Sequence, residues 1–311
     1  METQRKLIVI LGPTASGKTD LSIKLAKKFN GEVISADSRQ VYRGLDIGSA
    51  KITKKEMQQI PHYLIDVANP KTRFTVAQYQ KLALKAIKNI FKKGKVPFLV
   101  GGSGFYIQSI IDGIVIPEVK PDWRIRKKLS AEPLPELVKR LKELDPARAS
   151  IIDQNNPRRI VRALELVLKL KHPIAPISPN KPDFEVLILG VNRDRKELHK
   201  LIQKRLLKRL ENNALINEVK KLHKSGVSWK RLEELGLEYR FVAQYLSRLR
   251  SNRGSSTKSG QNKVLYQEMI DNIQKESEHY VKRQLTWFKH DKRIHWINNN
   301  KKTEKLIEKF L

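Results

Sequence analysis

The hydrophobic and polar positions divide the chain into segments of two periods. Leu7-Ile8-Val9-Ile10-Leu11 is an unbroken apolar run of strand length, which predicts a strand covered on both faces. After a glycine-bounded turn the period becomes helical. Leu21, Leu25 and Phe29 recur on one face of a helix that starts near Gly17. Glu32 to Asp37 reads as a second strand, closing on a carboxylate. Thr75 to Phe91 is the clearest helix: Thr75 and Gln78 have capping-box spacing, and Val76, Tyr79, Leu82, Ala86 and Ile90 share a face. Gly94 stands where the helix must stop. A third strand, Val96-Pro97-Phe98-Leu99-Val100, runs into Gly101-Gly102-Ser103-Gly104. Three alternations of strand and helix predict an α/β fold built on a doubly wound parallel sheet.

From Asp112 the pattern changes. Residues 117 to 146 hold short, charged, proline-punctuated helices and read as an insertion on the rim of the sheet. Asn156-Pro157 opens a helix to Leu170 with Ile160, Leu164, Val167 and Leu168 inward. Val186 to Val191 reads as a further strand, and the last third is mostly helical. Ser247 to Lys263 is polar, with serine, glycine and basic residues and almost no apolar content, so a mobile loop is predicted there. Helix resumes from about Val264 to Lys289, and Arg293 to Ile297 offers a short last strand. The organisation expected is a catalytic core from residues 1–112 and 156–311, a helical insertion over 113–155, and a loop over 247–263.

The charge balance then narrows the partners. Lysine and arginine number 63 against 32 acidic residues, a formal net charge of +31. Such an excess repels itself in the compact state, and a polyanionic partner explains it. A lysine-rich bias, visible in runs such as Lys54-Lys55 and Lys301-Lys302, accounts for about a third of the excess. No basic amphipathic segment carries a dense aromatic face, which favours nucleic acid over a membrane surface. No apolar run approaches a membrane span, the N-terminus passes into a strand without a secretory signal, and there are no cysteines. Disulfides, thiolate catalysis and cysteine zinc sites are excluded, and a cytoplasmic location is expected. The seven histidines form no metal-ligand pair of H-E-x-x-H type.

The chemistry enters at the first turn. Gly12-Pro13-Thr14-Ala15-Ser16-Gly17-Lys18-Thr19 satisfies the phosphate-loop pattern G-x-x-x-x-G-K-S/T between a strand and a helix. In such a P-loop, successive backbone N–H groups and the helix N-terminus surround a di- or triphosphate. Lys18 reaches the outer phosphate, and Thr19 holds its hydroxyl toward Mg²⁺. Nucleotide kinases, ATPases and transferases share the motif, so it does not choose among them. Asp37 ends the second strand, and ligands of open parallel sheets sit beyond strand carboxyl ends.

Several stretches together resemble the tRNA dimethylallyltransferases, also called tRNA isopentenyltransferases. They are the loop Gly12 to Thr19, Ile34 to Gly48, Pro61-His62, Leu99 to Tyr106, Asn156 to Glu165, and Lys282-Arg283-Gln284-Leu285-Thr286-Trp287, in order over nearly the whole length. The resemblance implies transfer of a dimethylallyl group from dimethylallyl diphosphate to N6 of adenosine 37, beside the anticodon of tRNAs reading codons that begin with U. It implies Mg²⁺ as cofactor and the tRNA anticodon stem-loop as partner; a monomer is expected. Asp37 is the candidate general base, the alternative being a Mg²⁺-water ligand. Ser103 would donate to the bridging oxygen of the diphosphate. The family usually has threonine there, so looser positioning is expected, and a helix-capping serine is the alternative. By the same resemblance Asp37, Ser38, Arg39, Gln40, Ser103, Arg124, Arg158, Arg159, Ile160, Val161, Arg162, Leu235, Gly236, Leu237, Glu238, Tyr239 and Arg240 would approach tRNA. Glu238 departs from the family, which usually has glycine before this tyrosine; a carboxylate there should hinder RNA backbone. A kinase of the same fold, an adenylate isopentenyltransferase and a non-catalytic RNA-binding protein are the rival readings, and none of them uses all these features.

Overall fold

The computed structural model describes residues 5–117, 119–174, 182–251, 258–297 and 300–311. In chain order the elements begin β1 (Lys6–Leu11), α1 (Lys18–Lys28), β2 (Gly31–Ala36), β3 (His62–Tyr63), α2 (Val76–Lys92), β4 (Val96–Gly101) and α3 (Gly104–Ile111). Four helices follow, α4 (Trp123–Leu129), α5 (Leu134–Leu144), α6 (Pro146–Ile151) and α7 (Pro157–Leu170). The chain continues through β5 (Glu185–Val191), α8 (Arg195–Leu210), α9 (Ala214–Lys224), α10 (Trp229–Leu235) and α11 (Leu237–Ser251). It ends in α12 (Lys258–Lys289), β6 (Ile294–Ile297) and α13 (Asn300–Phe310). Two compact units result, one of Met1–Ile111 with Pro182–Leu311, the other Asp112–Lys181.

The first unit is built on a parallel sheet of order β3-β2-β4-β1-β5-β6. Side chains alternate along each strand, so β1 feeds two cores. Leu7, Val9 and Leu11 face the layer of α2, α3 and the later helices, where Tyr79, Ile87, Leu232 and Ile273 are buried. Ile8 and Ile10 face the opposite layer, with Leu25 of α1 and Ile307 of α13. Both faces are covered, which is why the central strands read as continuous apolar runs. The predicted doubly wound parallel sheet is what forms. Register aligns the ends of three strands: Leu11 pairs with Gly101, and Ala36 also pairs with Gly101. Gly12, Asp37 and Gly102 therefore leave the sheet side by side.

At the other end of β2, Glu32 is buried and accepts from Tyr63 Oη at 2.6 Å, Lys93 Nζ at 3.0 Å and Lys95 Nζ at 2.9 Å. Burial alone would raise this carboxyl, but the three donors outweigh it and bring the pKa down to about 2.

In the second unit Leu129, Leu137, Leu141 and Ala149 pack with Ile160, Leu164 and Val167 of α7. The boundary expected from sequence, an insertion ending at 155 with core resuming at 156, is thereby corrected. The apolar stripe of α7 is used within Asp112–Lys181. Glu165 of the same helix is wholly buried and holds Arg126 at 2.8 Å, Arg162 and the N–H of Asp122. The loop expected over 247–263 is also corrected: 247–251 finish α11 and 258–263 begin α12, while 252–257 lie outside the described residues. Polarity over 247–251 and 260–263 marks exposed helix ends.

Candidate active site

The phosphate loop is shaped by its glycines and braced from outside. A Cβ on Gly12 would meet the carbonyl oxygen of Val191 at 2.4 Å, and Gly17 has φ of 90°, a left-handed conformation that only glycine adopts cheaply. Arg193 Nε donates to the Ser16 carbonyl at 3.0 Å and its guanidinium also meets Glu197. Within the loop Lys18 Nζ donates to the Pro13 carbonyl at 2.8 Å. Burial lowers the Lys18 ammonium to a pKa of about 8; nearby Asp37 opposes that shift and Arg205 adds to it. The Ser16 hydroxyl is buried without a partner among the described residues, a group left for a ligand or water.

Asp37 leads a tight turn. Its Oδ1 accepts from the N–H groups of Arg39 at 2.8 Å and Gln40 at 3.3 Å, which fixes the carboxylate while Oδ2 makes no hydrogen bond among the described residues. Ser103 follows β4. Its hydroxyl accepts from the Ser38 N–H at 3.0 Å, while its carbonyl, not its hydroxyl, receives the N–H groups of Tyr106 and Ile107 at the start of α3. The hydroxyl thus ties the β4 turn to the β2 turn and does not cap its helix. Two clefts meet here. Gly102, Arg209, Tyr239 and Tyr280 line one; Thr19, Gln40, Ile52 and His62 line the other. Thr14, Lys18, Asp37, Ser49 and Arg205 line both.

Arg205 was not legible in the sequence. It stands one turn before Arg209 on α8, among many basic residues, and no motif sets it apart. It makes no ion pair among the described residues, and burial, then Arg209, lower its pKa. Arg209 is occupied instead, donating to Glu238 at 2.6 Å and to the Gly48 carbonyl at 3.3 Å. Glu238 is therefore a buried carboxylate paired with Arg209. Burial holds its carboxyl above the ordinary range, against the pull of Arg209. Beyond the cleft, Glu218 accepts from the N–H groups of Asp46, Ile47 and Gly48 and from Tyr239 Oη at 2.8 Å. These bonds set the 46–48 loop that forms the cleft wall.

A sequence profile described as IPP transferase matches residues 40–291. The chain belongs to this family. It is a transferase by that membership. Curated relatives agree: the tRNA dimethylallyltransferase of Acetivibrio thermocellus is 38% identical over 312 residues, covering 97% of this chain and 95% of its own. That of Carboxydothermus hydrogenoformans is 39% identical over 318 residues, with 98% and 96% covered. Among solved structures, the tRNA isopentenylpyrophosphate transferase of Bacillus halodurans superposes with a TM-score of 0.68 at 36% identity, covering 99% of this chain and 95% of that one. A eukaryotic dimethylallyltransferase acting on tRNA gives a TM-score of 0.70 at 26% identity, with 91% and 69% covered.

The site residues expected to meet tRNA divide between the units. Asp37, Ser38, Arg39, Gln40 and Ser103 share two adjacent turns of the first, and Leu237, Glu238 and Tyr239 line a cleft beside them. Leu235 is buried, Gly236 has φ of 73°, and Arg240 Nε donates to the Glu233 carbonyl at 3.2 Å. In the second unit Arg124, Arg158 and Arg159 are exposed. Arg162 is engaged by Glu165 and the Val119 carbonyl, and Ile160 and Val161 are core residues. Among the described residues no cluster of three or more histidine, cysteine or acidic side chains could hold a metal, and no helix is long and apolar enough to cross a membrane.

Proposed function

We propose that this protein transfers the dimethylallyl group of dimethylallyl diphosphate to N6 of adenosine 37, next to the anticodon of tRNAs that read codons beginning with U. The observation that carries the reading is the meeting of Lys18, Arg205 and Asp37 where the two clefts join. Two cations that make no ion pair among the described residues suit a multiply charged leaving group. A carboxylate beside them suits the proton that a weakly nucleophilic exocyclic amine must shed.

In the reaction the allylic carbon–oxygen bond breaks and the nitrogen–carbon bond forms at N6. The N6 proton passes to the Asp37 carboxylate, and diphosphate departs into the phosphate loop. Lys18 and Arg205 neutralise charge that grows on its oxygens, and the Ser103 hydroxyl donates to the bridging oxygen. Thr19 is the protein oxygen that would hold Mg²⁺, which on binding supplies further neutralisation of the leaving group. Mg²⁺ would take its remaining ligands chiefly from substrate phosphates and water. The exposed Arg124, Arg158 and Arg159 are suited to tRNA phosphates, and an unstacked adenine can enter the cleft lined by Tyr239 and Tyr280.

The test is transfer of label from dimethylallyl diphosphate to unmodified tRNA, with AMP and ATP as competing acceptors. We expect tRNA alone to be labelled, and Asp37→Ala to lower kcat by about 10²-fold or more with tRNA affinity retained. Loss of tRNA binding together with rate would refute the assignment of Asp37 as base.

A further inference from the structure

The Arg283-Gln284-Leu285-Thr286-Trp287 segment has so far no task, yet its place in the fold is specific. Gln284 is 6% exposed on α12, and its amide joins two backbone groups that are far apart in sequence. The Thr14 N–H of the phosphate loop donates to Oε1 at 3.0 Å, and Nε2 donates to the Gly102 carbonyl at 2.8 Å. One face therefore needs an acceptor and the other a donor, a pair that a glutamine supplies and a glutamate or methionine does not. The glycines on either side of Ser103 fit this helix closely. A Cβ on Gly102 would lie 2.3 Å from Gln284 Nε2, and one on Gly104 would lie 2.5 Å from Trp287 Cδ1. Gln284 and Trp287 are three residues apart, on one side of the helix. Together they clamp the turn that carries Ser103, while Gln284 alone reaches across to the phosphate loop.

We propose that Gln284 is a positioning residue that fixes the phosphate loop and the Ser103 turn in one frame, setting where the donor's diphosphate lies relative to the hydroxyl that assists its departure. The proposal rests on the function argued above. The amide touches neither reacting group; it acts through the backbone of Thr14 and Gly102. It also engages the Thr14 N–H within the protein, leaving the anion to the later residues of the loop. Two backbone groups depend on it, the buried Gly102 carbonyl and the partly buried Thr14 N–H, and each would lose this partner on its removal.

The experiment compares wild type with Gln284→Met, which keeps the volume and loses both bonds, and Gln284→Glu, which keeps only the acceptor. Amide hydrogen exchange is followed on peptides covering 12–19 and 101–106, together with the Kd for inorganic pyrophosphate with Mg²⁺, kcat, and the Kd for tRNA. In Gln284→Met we expect exchange about tenfold faster in both peptides, equal to ~1.4 kcal/mol of local opening, with weaker pyrophosphate binding and lower kcat. Gln284→Glu should restore protection to 12–19 but not to 101–106. The tRNA Kd should stay within about twofold of wild type in both. Unchanged exchange with unchanged kcat in Gln284→Met would overturn the proposal. So would faster exchange throughout the chain, which marks α12 packing, or a loss confined to tRNA affinity, which marks an RNA contact. If Gln284→Met does not fold, the split between the two peptides in Gln284→Glu decides alone. Wild-type protein that binds no pyrophosphate and labels no tRNA would instead sink the proposed function.

Discussion

Replacing Glu238 by Gln removes the negative member of a buried pair while keeping nearly the same shape. Arg209 then keeps the Gly48 carbonyl, at 3.3 Å, and a neutral amide oxygen, and has Arg205 one turn away with no carboxylate of its own. Breaking one side of a buried ion pair costs about 3–5 kcal/mol. Here the two side chains retain 16% and 11% exposure and Arg209 keeps neutral acceptors, so the cost falls at or below the bottom of that range. We expect a loss of ~2–3 kcal/mol, or a fall in Tm of about 3–5 °C for a chain of this size. Thermal unfolding with and without pyrophosphate reads it. The anion should recover part of the loss, because the variant offers it an additional uncompensated cation. Glu238→Gln combined with Arg209→Met should be less unstable than the sum of the single changes, since the double variant buries no lone charge. A Tm within about 1 °C of wild type for Glu238→Gln, or strict additivity in the cycle, would refute the assignment of this pair as a buried one.

Three further outcomes follow from the same reasoning. With the Lys18 pKa at about 8, its charge is present below that pH and lost above it; the KM for dimethylallyl diphosphate should therefore rise as pH passes through about 8, and a flat profile between pH 7 and 9 would contradict it. Glu32 titrates near 2 when folded and near its ordinary value unfolded, so its stabilisation is full above about pH 4.5 and vanishes as pH falls toward 2. Because its lysine partners are partly solvated, Glu32→Gln should cost only ~1–2 kcal/mol at neutral pH and less in acid, as read by urea unfolding at both. Finally, tRNA affinity should fall steeply as salt rises, whereas a salt-independent Kd would return the +31 charge to compositional bias.

Where the sequence was informative, a local rule was enough. The run Leu7–Leu11 could be covered only on both faces, and the Thr75–Gln78 capping box forms as its spacing demands. The phosphate loop and Asp37 were legible because strand ends in a parallel sheet converge on one edge. What stayed hidden depends on pairing across distance. Arg205 is set apart from other arginines by lining both clefts, and that is decided by where α8 lies. Glu238 looked obstructive because Arg209, 29 positions earlier, could not be seen to neutralise it. The apolar stripe of Pro157–Leu170 was correctly read as buried, but its period does not say in which unit. The polar stretch 247–263 misled for a related reason, since exposed helix and loop share a composition.

The bond between Thr14 and Gln284 spans 270 residues, and it sets an order of assembly. A ribosome makes the phosphate loop 270 residues before the amide that steadies it. At about 5–20 residues per second, roughly a quarter of a minute to a minute separates the two. Throughout that interval the nascent loop lacks its brace, which arrives only once residue 284 has been made. A chain cut short before residue 284 would keep every residue of the nucleotide-type motif and still present an untethered one.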